Sequence, residues 1–141
     1  MSTSITTNPY LFFDKNCREA MTFYQSVFGG DLQQQTYGEV DQSCPEAKKD
    51  NIMHACLSGG DILLMASDDP GSHQAGTEKT HVALALAGAD EGRLREIFEA
   101  LSAEGKVGIP LAQQLWGDVY GDLVDRYGIQ WMVNIKATAA E

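Results

Sequence analysis

Leu32-Gln33-Gln34-Gln35-Thr36-Tyr37-Gly38-Glu39 returns, 79 residues later, as Leu111-Ala112-Gln113-Gln114-Leu115-Trp116-Gly117-Asp118. Both strings read Leu-x-Gln-Gln-x-aromatic-Gly-acid, and each follows a segment with helical spacing. In the first segment Cys17, Ala20, Met21, Tyr24 and Phe28 share one stripe, and Gly29-Gly30 supplies the left-handed stop. In the second, Leu94, Ile97, Phe98 and Leu101 form the stripe and Gly105 the stop. Cys17, Ala20, Met21 and Tyr24 map onto those four at a constant shift of 77 residues. A third parallel sets Gly60-Asp61-Ile62-Leu63-Leu64-Met65 against Gly128-Ile129-Gln130-Trp131-Met132-Val133. One such match is coincidence among common residues. Three in the same order indicate an internal duplication.

Working outward, the elements within each half run in the same sequence. Tyr10 to Phe13 is a short aromatic strand, and Asn16 with Glu19 reads as an approximate capping box opening the first helix. Leu32 to Tyr37, Ile52 to Leu57 and Ile62 to Met65 read as strands, with a tight turn at Gly59-Gly60-Asp61 and a polar loop from Gly38 to Asn51. After a Gly-, Ser-, Asp- and Pro-rich stretch comes a strand at Thr80 to Leu86, then a helix capped by Asp90. Strands follow near Gln113 to Leu115, at Leu123-Val124 and at Ile129 to Ile135. The expected organisation is α+β: one βαβββ module over residues 8–68, a linker over 69–79 and a second module over 80–136. A single module of this size buries too little surface to stand comfortably alone, so two are expected to share one structure.

Composition narrows the function classes. A hydrophobic content of 43% and a charged content of 21% fit a globular domain. The net charge of −10, with basic residues scattered, speaks against nucleic acid, whose binding needs clustered cations. No apolar run is long enough to span a membrane, and the polar start carries no secretory signal, so a reducing cytoplasm is expected. Cys17, Cys44 and Cys56 are too few and too dispersed for a disulfide framework or zinc finger. Cys17, on the helix stripe, reads as a buried thiol.

Three groups of stretches belong together: Tyr10-Leu11-Phe12-Phe13-Asp14 with Asn16-Cys17, Glu19-Ala20, Phe23-Tyr24 and Val27-Phe28-Gly29-Gly30; Ile52-Met53-His54-Ala55 and Leu64-Met65-Ala66-Ser67-Asp68; and Gly105-Lys106-Val107, Pro110-Leu111, Trp116-Gly117-Asp118, Tyr127-Gly128-Ile129 and Trp131-Met132-Val133-Asn134. As a set they resemble the PhnB-like branch of the vicinal oxygen chelate (glyoxalase/bleomycin resistance/dioxygenase) superfamily. The resemblance spans about residues 8 to 136. It implies paired βαβββ modules forming a concave, partly open mixed sheet with the helices outside, commonly as a homodimer.

Metal-dependent members of that superfamily hold a divalent cation with four inward-facing residues. Carried onto this sequence, the positions fall near Asn8-Pro9, at Leu64, at His81 and at Met132. Only His81 is a suitable donor, since Leu and Pro side chains do not ligate and Met prefers soft copper. No metal or other cofactor is therefore expected. Ligand-pocket candidates are His54, His81, Trp116, Met132, Leu64 and Phe13, with no catalytic residue assigned. A strand histidine is commonly just a hydrogen-bonded structural residue, and His73 lies in the linker. Trp116 and Trp131 serve equally well as pocket lining, core or dimer contact. Asp118, Asp122 and Asp125 read as solvated.

No nucleotide-binding or hydrolase motif occurs, and no glycine-rich adenosylmethionine loop follows a strand, so methyl transfer is not expected. The expected function is binding of a small organic molecule in the sheet cleft. The alternative is a divalent-metal-dependent lyase, isomerase or dioxygenase using His54 and His81. A dimeric scaffold without a ligand is a third, weaker reading.

Overall fold

Among the described residues, two amphipathic helices and eight short strands leave each half of the chain to bury its apolar stripe against one face of its own sheet. A computed structural model describes residues 7–59, 62–68 and 82–137. The chain divides into two units, Met1–Thr77 and Glu78–Glu141. The first contains β1 (Tyr10–Phe13), α1 (Cys17–Phe28), β2 (Asp31–Thr36), the short α2 (Tyr37–Val40), β3 (Ile52–Gly59) and β4 (Ile62–Asp68). The second contains β5 (Leu84–Gly88), α3 (Glu91–Ser102), β6 (Lys106–Gln113), β7 (Val119–Val124) and β8 (Gln130–Ile135).

The strand orders are β1-β4-β3-β2 and β5-β8-β7-β6. In each mixed sheet the first strand runs parallel to the last, and the remaining pairs are antiparallel. The duplicated βαβββ topology is thus present in both units. The expected linker and the Gly60-Asp61 turn lie outside the described residues.

In unit 1, α1 buries Cys17, Ala20, Met21, Tyr24 and Val27, so Val27 rather than Phe28 completes the stripe. They meet Ala55, Leu57, Leu64 and Ala66, all at most 1% exposed. Gly30 then permits a close crossing: a Cβ there would lie 2.7 Å from the Ser58 carbonyl oxygen. In unit 2, Leu94, Ile97, Phe98 and Leu101 of α3 are buried, as are Leu123, Trp131, Val133 and Ile135 of the sheet.

Two buried carboxylates tie these layers. The expected Asn16 cap does not form. Instead Asp68, at the end of β4, accepts the Cys17 N–H at 2.9 Å and the Ile52 N–H at 2.7 Å. One residue of β4 thereby fixes the starts of α1 and β3. Asp125, expected in solvent, is 3% exposed. It accepts the Tyr127 and Ile129 N–H groups at 2.8 and 3.0 Å, and the Trp131 indole N–H at 2.9 Å. The β7–β8 turn closes on that carboxylate. The Asp90 cap forms as expected, accepting from the Arg93 N–H.

Strand β6 departs most from expectation. It starts at Lys106 and has ended by Gln113, where a strand was expected to begin. Gly108 and Pro110 break the sequence pattern, but β6 is a sheet edge, where a missing N–H costs no ladder bond. Register shifts near Val107 and Ile109 lengthen it relative to β2. Leu32 therefore lies near the start of β2 and Leu111 near the end of β6. The repeated strings occupy equivalent edge strands out of phase. The expected loop at 38–51 opens instead with α2, where Thr36 and Glu39 form a reciprocal capping box.

Candidate functional site

A sheet with one face on a helix leaves its other face open, and alternation decides which residues stand there. In unit 1 the pairings Ala55↔Ala66 and Leu57↔Leu64 put those four on the helix side. The opposite face carries Tyr10 and Phe12 from β1, Leu63 and Met65 from β4, His54 and Cys56 from β3, with Gln33 and Gln35 beside them on β2. Tyr10 Oη and His54 Nδ1 lie 3.3 Å apart, and the histidine tautomer decides which donates. The Tyr10 ring stacks obliquely on Phe12 and His54, with centroids 5.1 and 5.8 Å away. The result is an aromatic, thioether-bearing surface with one imidazole.

Unit 2 presents a different face. Its core side takes Leu123, Trp131, Val133 and Ile135, so Gln130, Met132 and Asn134 of β8 and Tyr120, Asp122 and Val124 of β7 point the other way. Three cross-strand rows result. The first is Lys106–Val124–Gln130, the second joins Asp122 with Met132 and Ala85, and the third is Ala112–Tyr120–Asn134–Ala87. A concavity of about 420 Å³ lies over the first two rows, lined chiefly by Lys106, Gly108, Tyr120, Asp122, Gln130 and Met132.

Asp122 shapes the floor of this concavity. Its Oδ1 accepts the Ile109 N–H at 2.9 Å, and its Oδ2 accepts the Tyr120 hydroxyl at 3.3 Å. Gly108 makes room for this: a Cβ there would meet Asp122 Oδ1. Burial, and then the Asp122 charge beside it, push the Tyr120 hydroxyl above its ordinary pKa, so it stays protonated as a donor. Nearby, Asp118 accepts from the Asn134 amide at 2.9 Å and the Ala137 N–H at 2.8 Å. Those bonds, the Asn134 one foremost, hold its carboxyl below the usual range.

The residues singled out from sequence scatter. Met132, 37% exposed, lines the unit 2 concavity, and His54 stands on the open face of unit 1. Leu64 and Phe13 are 1% and 3% exposed, on the helix side of their sheet. Neither faces an open surface, a correction with a plain cause: the match of Leu64 to Met132 is one residue out of phase, and one residue reverses the face. Leu63, Met65 and the buried Ser67 are the residues of β4 on the other side. Trp116, 65% exposed, follows the fully exposed Leu115 on the β6–β7 turn and does not line the concavity. Trp131 is core. His81 and His73 lie outside the described residues. Lys106, Tyr120, Asp122 and Gln130 went unassigned as pocket residues, although Tyr120, Asp122 and Val124 alternate in the sequence.

Among the described residues no group of three or more His, Cys, Asp or Glu side chains is placed to hold a metal ion. No helix among them is long and apolar enough to cross a membrane.

Residues 5–134 match the family described as 3-demethylubiquinone-9 3-methyltransferase. Protein PA1353 from Pseudomonas aeruginosa has a crystal structure 34% identical in sequence, with a TM-score of 0.82 over 96% of this chain and 100% of that one. Protein YjdN of Escherichia coli K12 is 29% identical, covering 91% of this chain and 93% of its own. A putative 3-demethylubiquinone-9 3-methyltransferase, PhnB protein, from Bacillus cereus superposes with a TM-score of 0.74 at 24% identity, over 94% and 100% of the two chains. A glyoxalase/bleomycin resistance protein/dioxygenase family enzyme from Burkholderia phytofirmans has the same fold, with a TM-score of 0.59 at 14% identity over 92% and 98%.

Proposed function

Because the chain belongs to the PhnB-like family described as 3-demethylubiquinone-9 3-methyltransferase, with the glyoxalase/bleomycin resistance fold, we propose that it binds a small organic molecule on the open face of its sheets, without a resident metal. The observation that carries this reading is the concavity of about 420 Å³ over β6, β7 and β8. Its size falls in the range of small-molecule sites, and it combines apolar surface at Met132 and Val124 with a few polar groups. The aromatic face of unit 1 supports the same reading, because Tyr10, Phe12 and Met65 offer contact area that α1 does not use.

The donor chemistry argues for a metal-free site. With Leu64 turned to the core, the β4 residues on the open side are Leu63, Met65 and the buried Ser67, and the β8 residue beside Ala85 is Met132. None offers the imidazole, carboxylate or amide that usually holds a hard or borderline divalent cation. A metal-dependent lyase, isomerase or dioxygenase is favoured by one observation, the placement of His54 on an open face, and would need His81 as its partner. Nothing in the sequence supplies the glycine-rich loop of an adenosylmethionine site, and we assign no methyl transfer.

Elemental analysis of the purified protein, paired with a thermal-shift screen of small organic molecules, tests this reading. The expected result is a substoichiometric transition-metal content and stabilisation by organic ligands. A ligand at one hundred times its Kd stabilises by about 2.7 kcal/mol. One tightly held transition metal per chain, lost in a His54→Ala variant, would sink the metal-free reading. We also propose that the chain forms a homodimer. Exposure of Leu115 and Trp116 side by side supports a contact surface there.

A further inference from the structure

Lys106, Val124 and Gln130 stand side by side on the open face of unit 2, because Lys106 pairs with Val124 and Val124 with Gln130. Adjacent cross-strand positions are about 5 Å apart, so the outer two stand about 10 Å apart with an isopropyl group between them. Both line the concavity.

These two side chains differ from the other polar groups around them. Asp122 and Tyr120 are engaged with each other and with the Ile109 N–H, and Asn134 is bonded to Asp118. Among the described residues, the Lys106 ammonium has no carboxylate within ion-pair distance, and the Gln130 amide has no hydrogen-bond partner. Lys15, Lys48 and Lys136 have no ion pair among the described residues either, but of these ammonium groups only Lys106 lines the concavity. On a chain of net charge −10, an unpaired ammonium beside an unpaired amide is a local donor site in an otherwise anion-repelling field.

We infer that the unit 2 concavity takes a small molecule with an anionic carboxylate at one end and an apolar body, the carboxylate lying over Val124 between Lys106 and Gln130 and the body over Met132. The inference rests on the small-molecule reading above and adds the chemical class. A carboxylate has an oxygen for each donor, and the ammonium bond is charge-assisted. The thioether of Met132 is apolar, polarisable and adaptable to flat or extended bodies. The Asp122 carboxylate, one row away, keeps its negative charge while held by its two neutral donors, and so bars a second negative charge deeper in the concavity.

Benzoate and benzamide share a shape and differ in charge, so they isolate the carboxylate. We would titrate each into the full chain labelled at its methionine methyls and follow the Met132 resonance by NMR. Benzoate is expected to shift it with a Kd about two- to fivefold tighter than benzamide, as one exposed charge-assisted contact allows. Lys106→Met should erase that difference, and Gln130→Leu should halve it or more, each variant weakening benzoate by a larger factor than benzamide. Lys106 is exposed, so its replacement leaves the fold intact. Equal affinities for the two probes, or a benzoate preference that survives Lys106→Met, would overturn the anionic class while leaving small-molecule binding standing. Failure of both probes to move Met132 would remove the concavity as the site, whereas the organic-ligand screen decides the broader reading independently.

Discussion

The two sheets share strand order and helix placement yet present opposite chemistries on their open faces. Unit 1 shows Tyr10, Phe12, Met65 and a Tyr10-bonded His54, whereas unit 2 shows Lys106, Gln130, Asp122 and Tyr120 around Met132. Duplication thus preserved the side of each sheet that pays the entropy of folding and left the other side free to diverge. Stability and recognition lie on opposite faces of the same strands, one residue apart.

That division can be broken most directly at the pair once matched to each other. Leu64→Ala, on the helix side, is expected to cost about 2–5 kcal/mol, and Met132→Ala, on the open side, less than about 1 kcal/mol, both read by urea unfolding. Similar losses at the two sites would refute the face assignment. The two buried carboxylates sharpen the likeness of the scaffolds. Asp68→Ala and Asp125→Ala each strand buried N–H donors, and each should lower stability by about 2–3 kcal/mol. A negligible loss at either would show that its unit is held by other means.

Cys17 provides a pH-dependent probe of unit 1 alone. Burial foremost, with Asp68 beside it, pushes its thiol from 9.0 up to about 12. The unfolded chain therefore releases this proton first, and alkaline pH favours unfolding. The contribution is intact below pH 9 and is lost as pH rises toward about 12, at no more than ~1.4 kcal/mol per pH unit for one proton. Denaturation of the native chain and of Cys17→Ala across that window should diverge only above pH 9. Parallel curves would mean that Cys17 is not shielded. The smallest effect on folding is expected from Leu115→Ser with Trp116→Ser, within about 0.5 kcal/mol, because both side chains are exposed. The same variant should halve the mass seen by light scattering if this turn joins two copies, and an unchanged dimer would place the contact elsewhere.

The sequence disclosed these features unequally. Helix faces were legible because Leu94, Ile97, Phe98 and Leu101 carry the helical period in their own spacing, with no partner needed. The Asp90 cap was legible for the same reason. The facing of strand β4 was not, although the strand itself was, since Ile62-Leu63-Leu64-Met65-Ala66 is apolar at every position and its alternation has no visible phase. Strand β6 was hidden by Gly108 and Pro110, which are harmless only at a sheet edge. Asp68 gave no sign of capping a helix that starts 51 residues earlier. Asp125 did leave a trace, since Asp-x-Tyr-Gly is turn chemistry, but its burial depended on Trp131 folding back over it.

By itself, then, the sequence determined the two longer helices, the four strands of each half, their order, their repetition and the stripes by which the helices pack, because these follow from contacts between near neighbours along the chain. Only the tertiary structure decided which side of each strand is core and which donors share a row. Hydrogen-bonded register sets both, and a slip of one residue exchanges the two faces.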